Sequence, residues 1–281
     1  MPVTFETPHR IEDLYRRAIG NYVHSAFRPL QPGQNLFEWI ADVTEYSLRP
    51  EAVERATNTA VGMARMVNAA NARSWREAAR RSTRSQLFYR MLQRELAGVV
   101  GQKLNGIVQA NAGLIRSIPS DVATQLTREI AAAQQSVARS DTIAKMMRMR
   151  FPELTRSRIS LVARTETAKA STALTEARCD ELGIPAYIWE TSQDSRVRKS
   201  HRNMNGVIVF WGDPPSPEAL LHERSTLGHY HSGNCPNCRC GQTVILSLDD
   251  VSWPRRCYTS GRIIRVTRHQ FAQLSGMQIA A

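Results

Sequence analysis

Apolar residues recur at steps of three and four positions through the first two thirds of the chain. Between Leu104 and Ile115, for example, Ile107, Val108 and Leu114 keep this spacing, which is typical of an amphipathic helix. Helix ends are indicated by capping residues, glycine and proline. The predicted helices cover 11–26, 50–71, a stretch from 74 to about 98, one from 104 that Pro119 ends, one from 120 to about 137, a short one from 140 that Phe151-Pro152 ends, and 155–182.

The pattern changes after Pro185 to short runs rich in β-branched and aromatic residues. These runs predict strands over 187–189, 207–210, 242–246 and 262–266, and Asn205-Gly206 predicts a tight hairpin turn. The expected fold class is α+β, with a mainly helical N-terminal body followed by a small α+β C-terminal domain of short antiparallel strands and long loops. The predicted segments are an N-terminal arm (1–46), a helical body (47–155), an α+β domain (156–247) and a C-terminal tail (248–281).

The composition is typical of a folded protein. The chain has 281 residues, of which 42% are hydrophobic, so it can bury a core in one or two domains and does not resemble disordered chains. No apolar run approaches the roughly 18 residues of a membrane span. The first residues also lack the basic start and apolar stretch of a secretory signal. We therefore expect a soluble protein, made in a cytosol, whose cysteines stay reduced.

The net charge of +12 changes the expected partners, because it favours a polyanion, with nucleic acid first and an acidic protein surface second. Two basic clusters carry this prediction of sequence-independent contacts to the phosphates of double-stranded DNA. The first is a stripe at helical spacing, and the second straddles the Pro152 break. The stripe consists of Arg73, Arg76, Arg80 and Arg84. The second cluster consists of Lys145, Arg148, Arg150, Arg156 and Arg158, of which the first three are the predicted DNA contacts. The alternative is a solvated helix face with local ion pairs, for example to Glu77.

Candidate metal ligands concentrate between 187 and 240, where four of the seven histidines and three of the five cysteines lie. A C-x-x-C turn presents two sulfur atoms to one tetrahedral metal, and zinc then needs two further ligands. The predicted zinc ligands are His201, His231, Cys235, Cys238 and Cys240. In this prediction either histidine completes the set, with His229 as a further candidate. The alternative is a set of reduced thiols packed against the strands, with hydrogen bonds around Arg239.

The same loops allow a second functional class. Asp194 and His201 could form a general base with its orienting carboxylate, and His201, Asn203 and His229 match the residue types of a His-Asn-His nuclease core. A metal-dependent nuclease or hydrolase that uses His201 and the cysteine loop is therefore the alternative function. The opposing interpretation is that Asp194, Arg198 and their neighbours hydrogen-bond one another and hold the loops in place.

A family resemblance follows from the order of these motifs. Ala163-Arg164-Thr165-Glu166 on a helix is followed by Trp189-Glu-Thr, by Asp194-x-Arg196-x-Arg198, by His201 leading to Asn205-Gly206, and by Cys238-Arg239-Cys240 before a strand. Over about 140–246 the chain resembles the Mu F-like head morphogenesis family, the minor head proteins of tailed phages. The matching residues, for which the resemblance implies no catalytic role, are Arg164, Glu166, Asp194, Arg198, His201, Cys238 and Cys240. Cys235 and the His-Tyr-His triplet are additional to the pattern.

The resemblance implies a structural minor head protein rather than an enzyme. It implies association with the portal protein, with the major capsid protein as a further partner, and a place in the virion at the capsid interior or portal vertex. During assembly the protein would be in the host cytoplasm, and no membrane is expected in the assembled head. The implied task is support of head assembly and of DNA packaging or delivery, with non-specific contacts to double-stranded DNA.

Overall fold

The computed structural model describes residues 3–5, 9–27, 34–81, 85–94, 98–135 and 140–277. Its helices are α1 (His9–Ala26), α2 (Leu36–Tyr46), α3 (Pro50–Arg81), α4 (Ser85–Arg94), α5 (Val99–Gln135), α6 (Ser140–Leu182), α7 (Lys199–Met204) and α8 (Arg268–Ser275). Its strands are β1 (Thr4–Phe5), β2 (Ala186–Glu190), β3 (Ile208–Phe210), β4 (Gly241–Val244), β5 (Arg255–Thr259) and β6 (Arg262–Val266). A helical body followed by a small sheet confirms the predicted α+β class.

The chain forms two compact units. The sheet unit consists of Met1–Pro8, Met66–Asn105 and Thr167–Ala281, and the helical unit consists of His9–Arg65 and Gly106–Glu166. The boundary therefore falls inside α3, α5 and α6, so these long helices each belong in part to both units. This division differs from the four consecutive segments read from the sequence.

In the described part of the chain, six strands form one sheet in the order β1-β4-β2-β3-β5-β6. All neighbouring strands are antiparallel except β3 and β5, which pair in parallel at Ile208 and Cys257. The sheet is thus mixed rather than purely antiparallel. It also extends into the predicted C-terminal tail, because β5 and β6 are its last two strands.

Both faces of the sheet are covered, since alternate residues of a strand point to opposite faces. Along β2, Tyr187 and Trp189 join a core with Trp75 of α3 and Phe88 of α4. Ile188, between them, joins a separate core that also contains Phe271 of α8. Burial on both sides explains why β2 reads as a continuous apolar run, Ala-Tyr-Ile-Trp, rather than as an alternating one.

The predicted helix breaks at two prolines are wrong, because Pro119 lies inside α5 and Pro152 inside α6. An internal proline costs about 3 kcal/mol. Ile115, Ile118 and Val122 flank Pro119 and are at most 2% exposed, so packing of this face outweighs the lost hydrogen bond. Near Pro152, the ring of Phe151 packs against other aromatic rings of the helical unit.

Asn205-Gly206 does not form the predicted hairpin between two strands. It forms the turn from α7 into β3, closed by a hydrogen bond from the Val207 N–H to the Met204 carbonyl at 2.9 Å. The tight hairpin is instead at Ser260-Gly261, between β5 and β6. The sequence interpretation includes β6 but not its partner β5.

Candidate metal centre

His201 lies among the three cysteines of the loop. It is on α7, is 2% exposed, and stands edge-on to Trp189 with 5.4 Å between ring centroids. Its Nδ1 is 3.4 Å from Cys240 Sγ and 3.6 Å from Cys238 Sγ, and its Nε2 is 3.6 Å from Cys235 Sγ. Of the five predicted ligands, the structure therefore places Cys238 and Cys240 at Nδ1 of His201 and Cys235 at Nε2.

The backbone of the loop turns so that its sulfur atoms converge. The Cys238 N–H donates to the Cys235 carbonyl at 3.2 Å, and Asn237 between them has a φ of 57°. The Cys240 N–H donates to Cys238 Sγ at 3.4 Å. Cys240 immediately precedes β4, whose pairing with β2 fixes the end of the loop. A donor aimed at sulfur favours the thiolate, which is the form that binds metal.

The donor set fits a tetrahedral metal ion. The ligand atoms of His201, Cys238 and Cys240 all lie within 4.8 Å of one another. Zinc with Zn–S bonds of about 2.3 Å holds tetrahedral ligand atoms about 3.8 Å apart, so a small contraction would suffice. Cys235 lies outside this group of three, because its Sγ is 3.6 Å from Nε2, on the other side of the imidazole ring. Two thiolates and one imidazole are three of the four ligands that a structural zinc site uses.

A chain of buried hydrogen bonds orients His201 through its Nε2. The Tyr230 hydroxyl donates to Glu218 Oε1 at 2.8 Å, and it lies 3.0 Å from His201 Nε2. Since the hydroxyl gives its proton to the carboxylate, it accepts from Nε2–H, and the lone pair of His201 is then on Nδ1. The Ser200 hydroxyl also donates to Glu218 Oε1, at 3.0 Å. Nδ1 therefore faces Cys238 and Cys240 as a ligand atom should, and such an outer partner is the usual companion of a metal-bound histidine.

Arg198 brings positive charge to the thiols. Its Nη1 donates to Cys235 Sγ at 2.9 Å and its Nη2 to the Pro236 carbonyl at 2.8 Å. Hydrogen bonds from Cys235 and Cys240 hold the pKa of Cys238 far below its ordinary value. The same contacts to Cys238 raise the pKa values of Cys235 and Cys240. These directions favour the thiolate at Cys238 over those at Cys235 and Cys240, with the Arg198 guanidinium at Cys235.

The fifth predicted ligand, His231, lies apart from the thiols. Its Nδ1 is 3.2 Å from the Tyr187 hydroxyl, and its ring is T-shaped to the Tyr187 ring at 5.8 Å. Burial lowers its pKa to about 4, against a hydrogen bond to the Trp211 backbone that acts in the opposite direction. His229 is exposed and donates from Nδ1 to the Pro214 carbonyl at 2.8 Å. Of the candidate histidines, His201 is the one beside the cysteines.

The geometry gives no support to a general base made of Asp194 and His201. The Asp194 carboxylate accepts the Arg196 N–H at 2.8 Å and lies 3.8 Å from the Arg239 guanidinium. The Arg196 backbone bond is the main reason why the pKa of Asp194 is lowered, against burial. His201 Nε2 is already occupied by Tyr230. Nothing observed favours the nuclease alternative.

The first basic cluster lies on α3. Arg73, Arg76 and Arg80 are exposed, and Arg80 Nη1 is 3.4 Å from Glu77 Oε2. Arg84 lies outside the described residues. Three of the four arginines of the stripe therefore form an exposed surface. The Arg80–Glu77 ion pair is the kind of local contact expected if the stripe is a solvated helix face instead.

The second basic cluster lies on α6. Arg150 is 3.1 Å from Glu129 and 2.7 Å from Glu153, and hydrogen bonds to these carboxylates raise its pKa. The side chains of Lys145 and Arg148 lie outside the described part of the structure. Arg150 is thus engaged within its own unit.

Arg164 and Glu166 of the family pattern lie in the helical unit. Arg164 Nε donates to Glu12 Oε1 at 3.2 Å, which joins α6 to α1. Glu166 is 8% exposed, and its charge, after burial, contributes to the raised pKa of Tyr15. Both residues therefore act between α6 and α1, outside the cysteine cluster.

The residues that sequence reasoning missed are the ones that support the ligands. Tyr230 lies between His229 and His231 in the sequence, but the sequence gives no sign that its hydroxyl contacts His201. Glu218 and Ser200 carry no spacing signal, because α7 and the Pro-rich loop bring them together only in the fold.

Comparison with known proteins gives three findings. Residues 120–243 match the family described as phage Mu protein F like protein. The chain is also similar to an uncharacterized protein of Haemophilus influenzae (strain ATCC 51907 / DSM 11121 / KW20 / Rd), with 30% identity over 151 residues. That alignment covers 54% of the chain but 31% of the relative, so the chain spans about a third of the relative's length. No solved structure matches the chain.

The matched residues include the whole of α6, the strands β2 and β3, and the whole cysteine loop. Among the helices of the described residues, none is both long and apolar enough to cross a membrane. The pattern of motifs and the family match agree over this region. Both findings therefore identify residues 120–243 of the chain as similar to the phage Mu protein F like family.

Proposed function

We propose that the protein is a structural minor head protein of a tailed bacteriophage. It associates with the portal, lies in the capsid interior or at the portal vertex, and supports head assembly and DNA packaging or delivery. The match of residues 120–243 to the phage Mu protein F like family carries this proposal. The matched residues include the cluster of His201, Cys238 and Cys240, which we call the metal cluster. No catalytic step is assigned to the protein.

Co-purification tests the partner. The tagged chain is expressed with the portal protein of the same phage, and separately with the major capsid protein, which is the second expected partner. Retention of the portal protein after a high-salt wash is the expected result, since ionic contacts alone weaken in salt. A chain that elutes without the portal protein under all conditions would contradict portal association.

The same proposal includes non-specific contacts to double-stranded DNA. Its support is the net charge of +12 and the exposed arginines of α3. Phosphate contacts release counterions, so affinity should fall steeply as salt rises. Mobility shifts of unrelated duplex sequences at several salt concentrations measure this dependence. Equal binding at low and moderate salt would refute the electrostatic account.

The metal cluster has a structural task in this proposal, and its ion is zinc. His201, Cys238 and Cys240 supply three protein ligands, and Cys235, now at the Nε2 side of the imidazole, would turn its Sγ toward them to close the site as the fourth. Zn²⁺ with three thiolates carries one negative charge, and the Arg198 guanidinium at 2.9 Å offsets it. Such an ion joins α7 to the loop before β4 and compensates for the ordering entropy of the long loop before it.

Elemental analysis and limited proteolysis test the zinc. Purified protein should contain about one zinc per chain, by the logic of four-ligand sites. Cys238→Ser should lose the metal, whereas Cys257→Ala, which removes a buried thiol outside the cluster, should keep it. Chelation should expose the cysteine loop to protease. A metal-free wild-type protein whose loop resists protease equally with and without chelator would leave hydrogen bonds as the explanation.

A further inference from the structure

The last two strands form a hairpin with concentrated positive charge. β5 and β6 are joined by Ser260 and Gly261, whose φ angles of 49° and 82° suit the two-residue turn of a twisted hairpin. Residues 251–281 contain no aspartate, glutamate or lysine. Their charged residues, apart from a histidine, are Arg255, Arg256, Arg262, Arg265 and Arg268.

Two of these arginines oppose each other directly. Arg256 and Arg265 are register partners in the β5–β6 ladder, so their side chains leave the same face of the hairpin. Like charges at directly opposite positions destabilise an antiparallel pair. Arg256 turns away to donate from Nη2 to the Asn203 carbonyl, which leaves the Arg265 charge facing solvent. Stability of the hairpin alone does not account for this arrangement.

The nearby partners compensate little of the charge. Arg255 Nε donates to the Gly206 carbonyl at 2.9 Å, and like the Asn203 carbonyl this acceptor is neutral. Burial, followed by the charge of Arg255, lowers the pKa of Arg256. Positive charge therefore accumulates where β5 meets the turn between α7 and β3.

Two carboxylates lie beside the hairpin. Asp213 accepts the Ser260 N–H at 3.1 Å at the hairpin tip, and Asp249 is 2.7 Å from the Arg268 guanidinium. Arg262 and Arg265 are both exposed and form no ion pair with any residue that the structure describes. These two side chains are thus the available cations of the hairpin.

The position of Arg262 and Arg265 makes both reachable from one direction. They lie on β6, which is the last strand of the described sheet, and they are three residues apart, about 10 Å along the strand. Their side chains leave opposite faces of the strand, so they flank its outer edge. The apolar residues Cys257, Tyr258 and Val266 of the hairpin are at most 2% exposed. Ile263 and Ile264, between the two arginines, are half-buried and pack against the two cores. The exposed side chains of the outer edge are therefore the two arginines.

We propose that this hairpin edge, with Arg262 and Arg265 at its centre, binds the phosphate backbone of duplex DNA. The inference rests on the proposed non-specific DNA contact and assigns it to a surface that the sequence interpretation treated as a tail. Arginine forms paired hydrogen bonds with phosphate. Protein partners instead favour surfaces with an exposed apolar or aromatic centre, whereas Ile263 and Ile264 of this edge are half-buried against the two cores.

The test compares three double variants of the full-length protein by mobility shift with a random-sequence duplex over a range of salt. Arg262→Gln with Arg265→Gln should flatten the slope of log affinity against log salt by about 1.8, at roughly 0.9 for each lost phosphate contact. Arg10→Gln with Arg17→Gln removes the same charge from exposed positions of α1 and should leave the slope unchanged. Arg73→Gln with Arg76→Gln reports on the α3 stripe.

Each outcome bears on one statement. Wild-type protein that binds no DNA would contradict the proposed DNA contact itself. Wild-type binding that only the α3 variant reduces would overturn the hairpin assignment and leave the DNA contact intact. Equal losses of DNA affinity in the α1 and hairpin variants would mean that total charge rather than position sets the affinity, which also overturns the hairpin assignment. Polyglutamate that competes as well as DNA for the hairpin would identify an acidic protein as the partner instead. Unchanged circular dichroism and melting temperature establish that the exposed substitutions leave the fold intact.

Discussion

The buried His231 should make the protein less stable in acid. Burial holds its pKa at about 4, against about 6.5 in an unfolded chain. Between these values the unfolded state binds a proton that the folded state excludes. Stability therefore rises with pH in this window and is lost as pH falls below about 6.5. The loss of folding free energy approaches its full value only below about pH 4, where the folded state is protonated too.

The size of the effect follows from the shift. A difference of about 2.5 pKa units corresponds to about 3.4 kcal/mol once both states are protonated, below about pH 4, and to about 2 kcal/mol at about pH 5. His231→Gln stays neutral and keeps a side chain that can hydrogen-bond to the Tyr187 hydroxyl, which lies 3.2 Å from Nδ1. The variant should therefore lose about 2 kcal/mol less than wild type between about pH 7.5 and about pH 5.

Urea unfolding at the two pH values measures this difference, with chelator present so that metal release does not contribute. His229→Gln serves as the matched control, because His229 is exposed, and it should follow the wild-type pH dependence. If His231→Gln and wild type lose the same free energy of unfolding on acidification, a buried neutral imidazole at position 231 is refuted.

Two further substitutions test the metal cluster and its loop. Tyr230→Phe removes the acceptor of His201 Nε2–H and should weaken zinc binding about 10–100-fold in competition with a chelating dye, and unchanged affinity would exclude a positioning role. Gly233→Ala should cost about 3 kcal/mol in thermal unfolding, because φ is 87° and the new Cβ would overlap Thr172 Oγ1. Gly212→Ala, where a Cβ meets no atom within 4 Å, should leave stability nearly unchanged, and equal effects at the two glycines would contradict the steric argument.

The sequence predicts the type of most elements but not their extent. Helical periodicity locates α3, α5 and α6, yet it cannot weigh a proline against tertiary packing, so α5 and α6 were divided at Pro119 and Pro152. β5 was missed because Arg255, Arg256 and Thr259 make it a polar strand, which is stabilised by the two strands beside it. Sequence order also conceals the two compact units, since their boundary falls within single helices.

The candidate site also has a part that the sequence predicts and a part that only the fold shows. Spacing along the chain brings Cys235, Cys238 and Cys240 together, because a C-x-x-C turn is a local structure. The choice of His201 over His231 depends on where α7 packs, and no local pattern encodes that position. The Tyr230–Glu218 contact is also non-local, so only the fold shows that His201 presents Nδ1 to the cysteines.

The metal cluster and the basic hairpin are linked through α7. His201 lies on α7, and the carbonyls of Asn203 and Gly206, at the end of that helix and in the following turn, bind Arg256 and Arg255 of β5. An ion that holds His201 therefore also restrains the acceptors that anchor the hairpin. Chelation should then weaken DNA binding by the wild-type protein. It should change the DNA affinity of the Arg262→Gln, Arg265→Gln double variant little, because two sites that are coupled have non-additive effects. Equal loss of affinity in both proteins, measured by mobility shift, would separate the metal from the hairpin and limit the ion to its own loop.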